Sequence, residues 1–221
     1  ILARADAAYA ARDEPGKLDE AQALLGEAAR TAPGDYGVLW REARQLFWKA
    51  DDPRVSKEEK SRLGKECWEI ADRATVAEPR GPEGWFYAAA GVGNYSLGMG
   101  VLRALALGME GKFRERLERA EALDAAFDNG AIHTAWGRFW YELPWPKYDA
   151  AKSEERLRAA LKMNPANVRA RVYLAELFRK EDRPEEARAL LEQALAREPG
   201  AYDRPEEKRW QERARELLAK H

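Results

Sequence analysis

Five amphipathic segments along this chain stop in the same way. ALLGEAARTAP closes at Pro33, EIADRATVAEP at Pro79, ERAEALDAA at Ala125, RAALKMNP at Pro165 and LEQALAREP at Pro199. Each carries small or apolar residues at spacings of three and four, the period of one helix face. Four of the five end on proline, whose locked φ and missing N–H stop a helix. The intervals between the stops are 46, 46, 40 and 34 residues. No single face of this kind can be buried alone, so the recurrence predicts stacked repeats in which each unit supplies part of its neighbour's core.

Residue usage agrees with helix throughout. Ala, Leu, Glu and Arg dominate and β-branched residues are scarce, and such side chains lose little rotamer freedom in a helix. The predicted fold class is all-α. With 38 Lys and Arg against 39 Asp and Glu, no global field draws the chain to nucleic acid or anionic lipid, so partners must be sought in local surfaces. The single cysteine, Cys67, cannot make an intrachain disulfide and reads as a small buried side chain. The chain begins at Ile1 without a signal peptide, so targeting information is expected outside it and localisation stays open.

The last interval, 34 residues, is the length of a tetratricopeptide repeat, and here the sequence resembles that family. Leu174, Ala175, Phe178, Ala187, Leu191, Ala194 and Pro199 fill its characteristic positions, as do Ala21, Leu25, Ala28 and Pro33 near the start. Trp85 with Ala89, and Trp136 with Gly137 and Trp140, stand at the matching places of the middle opening helices. The resemblance implies a right-handed α-solenoid of antiparallel helix pairs over residues 1–221, a single domain of about four to five irregular repeats. Insertions between paired helices are expected at 51–60, 95–111 and 143–147, and PEEKRWQERARELLAK should form a capping helix over 205–220.

A narrower resemblance rests on the order of motifs in the second half: Leu123 with Asp124, Asn129 with Gly130, Gly137 with Trp140, Leu143 with Pro144, and Leu157 with Ala160. This order is similar to the T component associated with TRAP-type transporters, a periplasmic lipoprotein, and to the regulator of microtubule dynamics family. Ala125 departs from the usual proline, and Pro-Trp-Pro at 144–146 shortens the glycine-rich insert. The resemblance implies a non-catalytic scaffold whose partner is a periplasmic solute-binding protein, with a homo-oligomer and an apolar ligand also within its range. It would place the protein in the periplasm or on a lipid anchor; without it, a cytoplasmic place is expected.

The stretch AAAGVGNYSLGMGVLRALALGMEGKF, Ala88–Phe113, carries six glycines and three charged residues. A phosphate loop would need a preceding strand and a Lys-Ser or Lys-Thr, and neither is present. The run is also shorter than the roughly 20 apolar residues that span a membrane. Two readings stay open. Gly98, Gly100, Ala104, Ala106 and Gly108 could serve close helix approach, or Leu97, Met99, Leu102, Leu105 and Met109 could line a pocket for an apolar molecule or lipid. A third functional class is a pilotin-like assembly lipoprotein.

Catalytic patterns are thin. One Cys and two His cannot build the usual metal or nucleophile sets, His133 falls at a packing position, and most carboxylates sit beside Arg or Lys at helical spacing. No enzyme activity and no cofactor are expected. Family register instead places Trp40, Arg44, Phe47, Trp48, Phe86, Asn94, Thr134, Arg138, Tyr141, Arg169, Glu176 and Arg179 on the concave groove. Aromatic and arginine side chains there would carry binding energy for a protein partner.

Overall fold

The computed structural model describes residues 1–220, and every regular element in them is helical. A first compact unit, Ile1–Ala125, holds α1 (Leu2–Ala10), α2 (Lys17–Thr31), α3 (Tyr36–Ala50), α4 (Lys57–Ala77), α5 (Pro82–Met99), α6 (Val101–Ala106) and α7 (Met109–Leu123). A second unit runs from Ala126 and holds a 3-10 turn (Phe127–Asn129), α8 (Ala131–Glu142), α9 (Ala150–Met163), α10 (Val168–Lys180), α11 (Pro184–Leu195) and α12 (Arg204–Leu218). Within the first unit α1 packs with α2, α3 with α4, and α5 with α7; within the second, α8 packs with α9 and α10 with α11. The expected α-solenoid of helix pairs is the fold, and α12 lies against α10 and α11 as the cap.

Local chemistry sets the helix ends. Asp35, Ser56, Asp149, Asn167 and Asp203 each accept a hydrogen bond from a backbone N–H three residues on, and Pro82, Pro184 and Pro205 occupy first turns where no N–H is needed. Before the closing prolines the backbone is forced to extend, with φ −144° at Ala32, −141° at Glu78 and −133° at Asn164. Asp124 takes the same conformation, φ −153°, although Ala125 follows it. The stop therefore survives loss of the proline at that position.

The stretched repeats owe their length partly to the helices themselves. α4 has 21 residues and α5 has 18, and the two lie against each other along small residues. A Cβ on Gly91 would sit 2.5 Å from the backbone nitrogen of Trp68, and one on Gly98 would sit 2.6 Å from the carbonyl oxygen of Lys57. A Cβ on Gly64, from the other side, would run into the backbone of Asn94 and Tyr95. Close approach is thus the role of Gly91 and Gly98, but it is not that of Gly100 or Gly108. Those two have open space around them and adopt φ of +95° and +71°, the left-handed backbone that turns the chain into and out of α6. Ala106 is exposed as well.

In the second unit the core is built by Leu157 and Ala160 of α9, Leu174, Leu177 and Phe178 of α10, and Leu191 and Ala194 of α11, closed by Trp210, Ala214 and Leu217 of α12. Gly137 lets α8 meet α9: its Cβ would fall 2.5 Å from Leu157 Cγ, and the buried Ser153 hydroxyl donates to the Gly137 carbonyl at 2.8 Å.

Two glycine substitutions should separate in sign. Gly91→Ala forces α4 and α5 apart and should destabilise by about 2 kcal/mol or more. Gly26→Ala, inside α2 with nothing near its Cβ, should stabilise by about 0.5–1 kcal/mol through helix propensity. Denaturant unfolding of both variants measures this, and equal shifts would contradict the backbone contact.

Candidate partner-binding surface

In the first unit α3 carries Trp40, Arg41, Arg44, Phe47 and Trp48 at spacings of one, three and four, so one broad face is aromatic and basic. The rings and guanidiniums stack. Arg44 lies 3.9 Å over the Tyr9 ring and 4.9 Å from the Trp40 centroid, Arg41 lies 4.1 Å over Trp40, and Arg12 sits between Tyr9 and Trp48 at 4.2 and 4.1 Å. Trp40 stacks parallel to Tyr87 of α5 at 6.3 Å, and Phe47 tilts against the same ring at 6.0 Å. Asp6 of α1 ties the arginines down: Arg41 donates Nε and Nη2 to it at 2.9 and 2.7 Å, and Arg44 donates Nη2 at 2.7 Å. Partial burial works to raise the Asp6 pKa, but the bonds from Arg41 and Arg44 outweigh it and hold the carboxyl below the ordinary range.

The second unit repeats the pattern on α8, α10 and α12. Arg138 lies 4.6 Å over both Tyr141 and Tyr173, Tyr173 meets Trp210 edge-on at 4.8 Å, and Arg169 lies 5.0 Å over Trp210. Glu176 joins the row: it accepts Arg138 Nη1 at 2.6 Å and Arg213 Nη2 at 2.8 Å, and only 10 % of its side chain is exposed. Arg138 also pairs with Glu142 at 2.5 Å, and Arg169 with Glu206 at 3.0 Å.

The residues that family register assigns to the groove fall into two groups. Trp40, Arg44, Phe47, Arg138, Tyr141, Glu176 and Arg179 are half-buried, with part of each side chain at the surface. Trp48, Phe86, Asn94, Thr134 and Arg169 are buried. Thr134 accepts from Asn167 Nδ2 at 3.2 Å and donates to the Gly130 carbonyl, while Arg179 donates to the Leu217 carbonyl at 3.1 Å, so both tie one helix to another element. Asp6, Arg12, Arg41, Tyr87, Tyr173, Trp210 and Arg213 belong to the same rows and are not singled out by register. Arg41 sits one residue beside the register position Trp40, a signal the bare count passes over.

Of the residues considered for an apolar pocket, Leu97, Met99 and Leu105 are half-buried, Met109 is buried and Leu102 is 74 % exposed. An open concavity of about 660 Å³ in this unit is lined by other side chains, among them Trp85, Glu110, Arg114, Glu118 and Arg119. Cys67 is fully buried, its thiol donating to the carbonyls of Ala43 and Tyr87 at 3.2 and 3.4 Å, and burial pushes its pKa far above the ordinary thiol value. His133 Nδ1 lies 3.1 Å from Arg156 Nη1; a guanidinium only donates, so Nδ1 carries the lone pair in this contact. Among the described residues no group of three or more His, Cys, Asp or Glu is placed to hold a metal ion, and no helix is long and apolar enough to cross a membrane.

Residues 147–206 match the tetratricopeptide repeat family. The chain is similar in structure to TTC0263, a thermophilic tetratricopeptide protein of Thermus thermophilus, with a TM-score of 0.69, 21 % identity and 92 % of each chain covered. It is also similar to MamA, with a TM-score of 0.50, 14 % identity and 93 % of each chain covered. No curated protein matches it in sequence. At these identities the likeness concerns the fold.

Two carboxylates test the rows. Glu176→Gln takes one of two carboxylates from each of the half-buried Arg138 and Arg213, which keep Glu142 and Glu216, and should destabilise by about 1–2 kcal/mol, read by denaturant unfolding. Asp6→Asn should destabilise by about 1 kcal/mol at neutral pH. Because the folded pKa of Asp6 is depressed, that contribution is present above the unfolded carboxylate pKa and lost as pH falls through the lower folded one. Wild type and Asp6→Asn should therefore converge in stability in acid, and a gap that stays constant from neutral pH into acid would contradict the pairing.

Proposed function

We propose that the protein is a non-catalytic helical-repeat scaffold that binds a protein partner through the arginine–aromatic rows of its opening helices. The observation that carries this reading is that each unit builds such a row and leaves part of it at the surface: Trp40, Arg44 and Phe47 in one, Arg138 and Tyr141 in the other. Rings of this kind bury much area for few rotatable bonds, and guanidiniums stack on them and hydrogen-bond at their edges. Stacking and ion pairing already fix their rotamers, so less entropy is lost when a partner docks. The tetratricopeptide fold supports the scaffold reading in general terms. The finer form, a periplasmic solute-binding protein as partner, is supported by the motif order from Leu123 to Ala160 that resembles the transporter-associated T component.

Trp40→Ala and Arg138→Ala, made separately, test it against a partner captured by the wild-type chain. Each should weaken binding of the same partner by about tenfold or more, as expected for a central aromatic or arginine contact, with helix content by circular dichroism unchanged. Full retention of the partner by both variants would overturn the assignment. Failure of a purified solute-binding protein to bind the wild-type chain would remove only the finer form.

A further inference from the structure

Arg171 of α10 belongs to no aromatic row or ion pair described above, and it is buried, with a relative exposure of 8 %. Its Nη2 donates to the Pro165 carbonyl at 2.9 Å, while its Nε and Nη1 are buried without a partner. Asn164, beside that proline, is in a similar position: its Oδ1 accepts from Ala166 N–H at 2.9 Å, which orients the amide, and its Nδ2 is a buried donor without a partner. The charge that acts on Arg171 is of its own sign. Arg197, in the segment after α11, adds to burial in lowering the Arg171 pKa. The backbone at Arg197 is held by Gln211 of α12, which donates Nε2 to the Ala194 and Arg197 carbonyls at 3.0 and 2.7 Å.

Three buried donor nitrogens, Arg171 Nε and Nη1 and Asn164 Nδ2, therefore lie at the turn from α9 to α10, with the exposed Arg197 acting on Arg171 from outside and no carboxylate among the described residues paired to Arg171. A buried cation with open donors is costly, and the general remedies are a counter-charge or an acceptor. We propose that this turn, with Arg171 and Arg197, forms a binding site for a small inorganic oxyanion of the phosphate or sulfate type. An oxyanion supplies what the site lacks: negative charge, and acceptor lone pairs for an open edge of the Arg171 guanidinium. Chloride supplies the charge with a single centre. The site is separate from the arginine–aromatic rows, so its occupancy does not depend on the proposed partner surface.

Thermal unfolding of the full chain in sodium phosphate, against sodium chloride at matched ionic strength, tests this in wild type, Arg171→Met and Arg197→Ala. Phosphate should raise the wild-type midpoint by about 2–4 °C for a chain of this size. Arg171→Met should lose that shift, Arg197→Ala should reduce it, and in chloride Arg171→Met should be at least as stable as wild type because it removes an uncompensated buried charge. A full phosphate shift in Arg171→Met, or an equal rise in chloride, overturns the site. If Arg171→Met does not fold, the ¹⁵Nε resonance of Arg171 in the wild-type chain should move on titration with phosphate, and an unmoved resonance overturns it equally.

Discussion

Where α4 meets α5, backbone rests on backbone. Gly64 on one helix and Gly84, Gly91 and Gly98 on the other each meet the opposing backbone so closely that an added Cβ would lie 2.4–3.1 Å from it. This spacing lets one small residue connect three helices: the Cys67 thiol reaches a carbonyl of α3 and a carbonyl of α5. It also decides where α5 carries Phe86 and Tyr87. Tyr87 stacks on Trp40 and meets Phe47 because α5 is drawn in close enough beside α3. The aromatic row of the first unit thus depends on glycines that belong to a different contact. Packing at native density transmits such dependence, since a one-carbon change has no void to enter.

Arginine does two jobs along these rows. Its flat, weakly hydrated guanidinium can lie between rings, and its five donors can still reach a carboxylate at the edge. Arg138 does both, between Tyr141 and Tyr173 and against Glu142 and Glu176. Lysine in the same place would be a point charge with nothing to stack. The rows therefore hold neighbouring opening helices together within each unit, and the parts of them left half-buried are already rigid. Internal support and surface presentation come from the same side chains.

The repeat itself was legible because helix stops are local. Pro33, Pro79 and Pro165 act on the residue before them whatever the tertiary context, and even Ala125 sits after a backbone that extends in the same way. Register along a helix was less informative for the site. It finds the face but not how far a long side chain folds back, so Trp48 and Arg169 stand at surface positions by count and are buried, covered by Arg12 in one case and packed against Trp210 in the other. The glycines of the 88–113 stretch were ambiguous for another reason. Composition does not distinguish a glycine that admits a neighbouring backbone, as Gly98 does, from one that supplies positive φ, as Gly100 does two residues later. Only the partner helix separates them.

The capping helix shows how a terminal element can be more than a lid. α12 closes the core with Ala214 and Leu217, and its Glu207 carboxylate accepts from the backbone N–H groups of Gly200, Tyr202 and Asp203, ordering the segment that leads into it. The same helix supplies Trp210 to Tyr173 and Arg169, Glu206 to Arg169, and Arg213 to Glu176. Without those groups Arg169 would lose the Trp210 ring and the Glu206 carboxylate together, and Glu176 would keep one arginine of two. An isolated repeat pair ends in an apolar face, and a polar helix laid over it solves solubility. Here that helix also completes the row of charges and rings on α8 and α10, which makes the end of the second unit part of its surface chemistry.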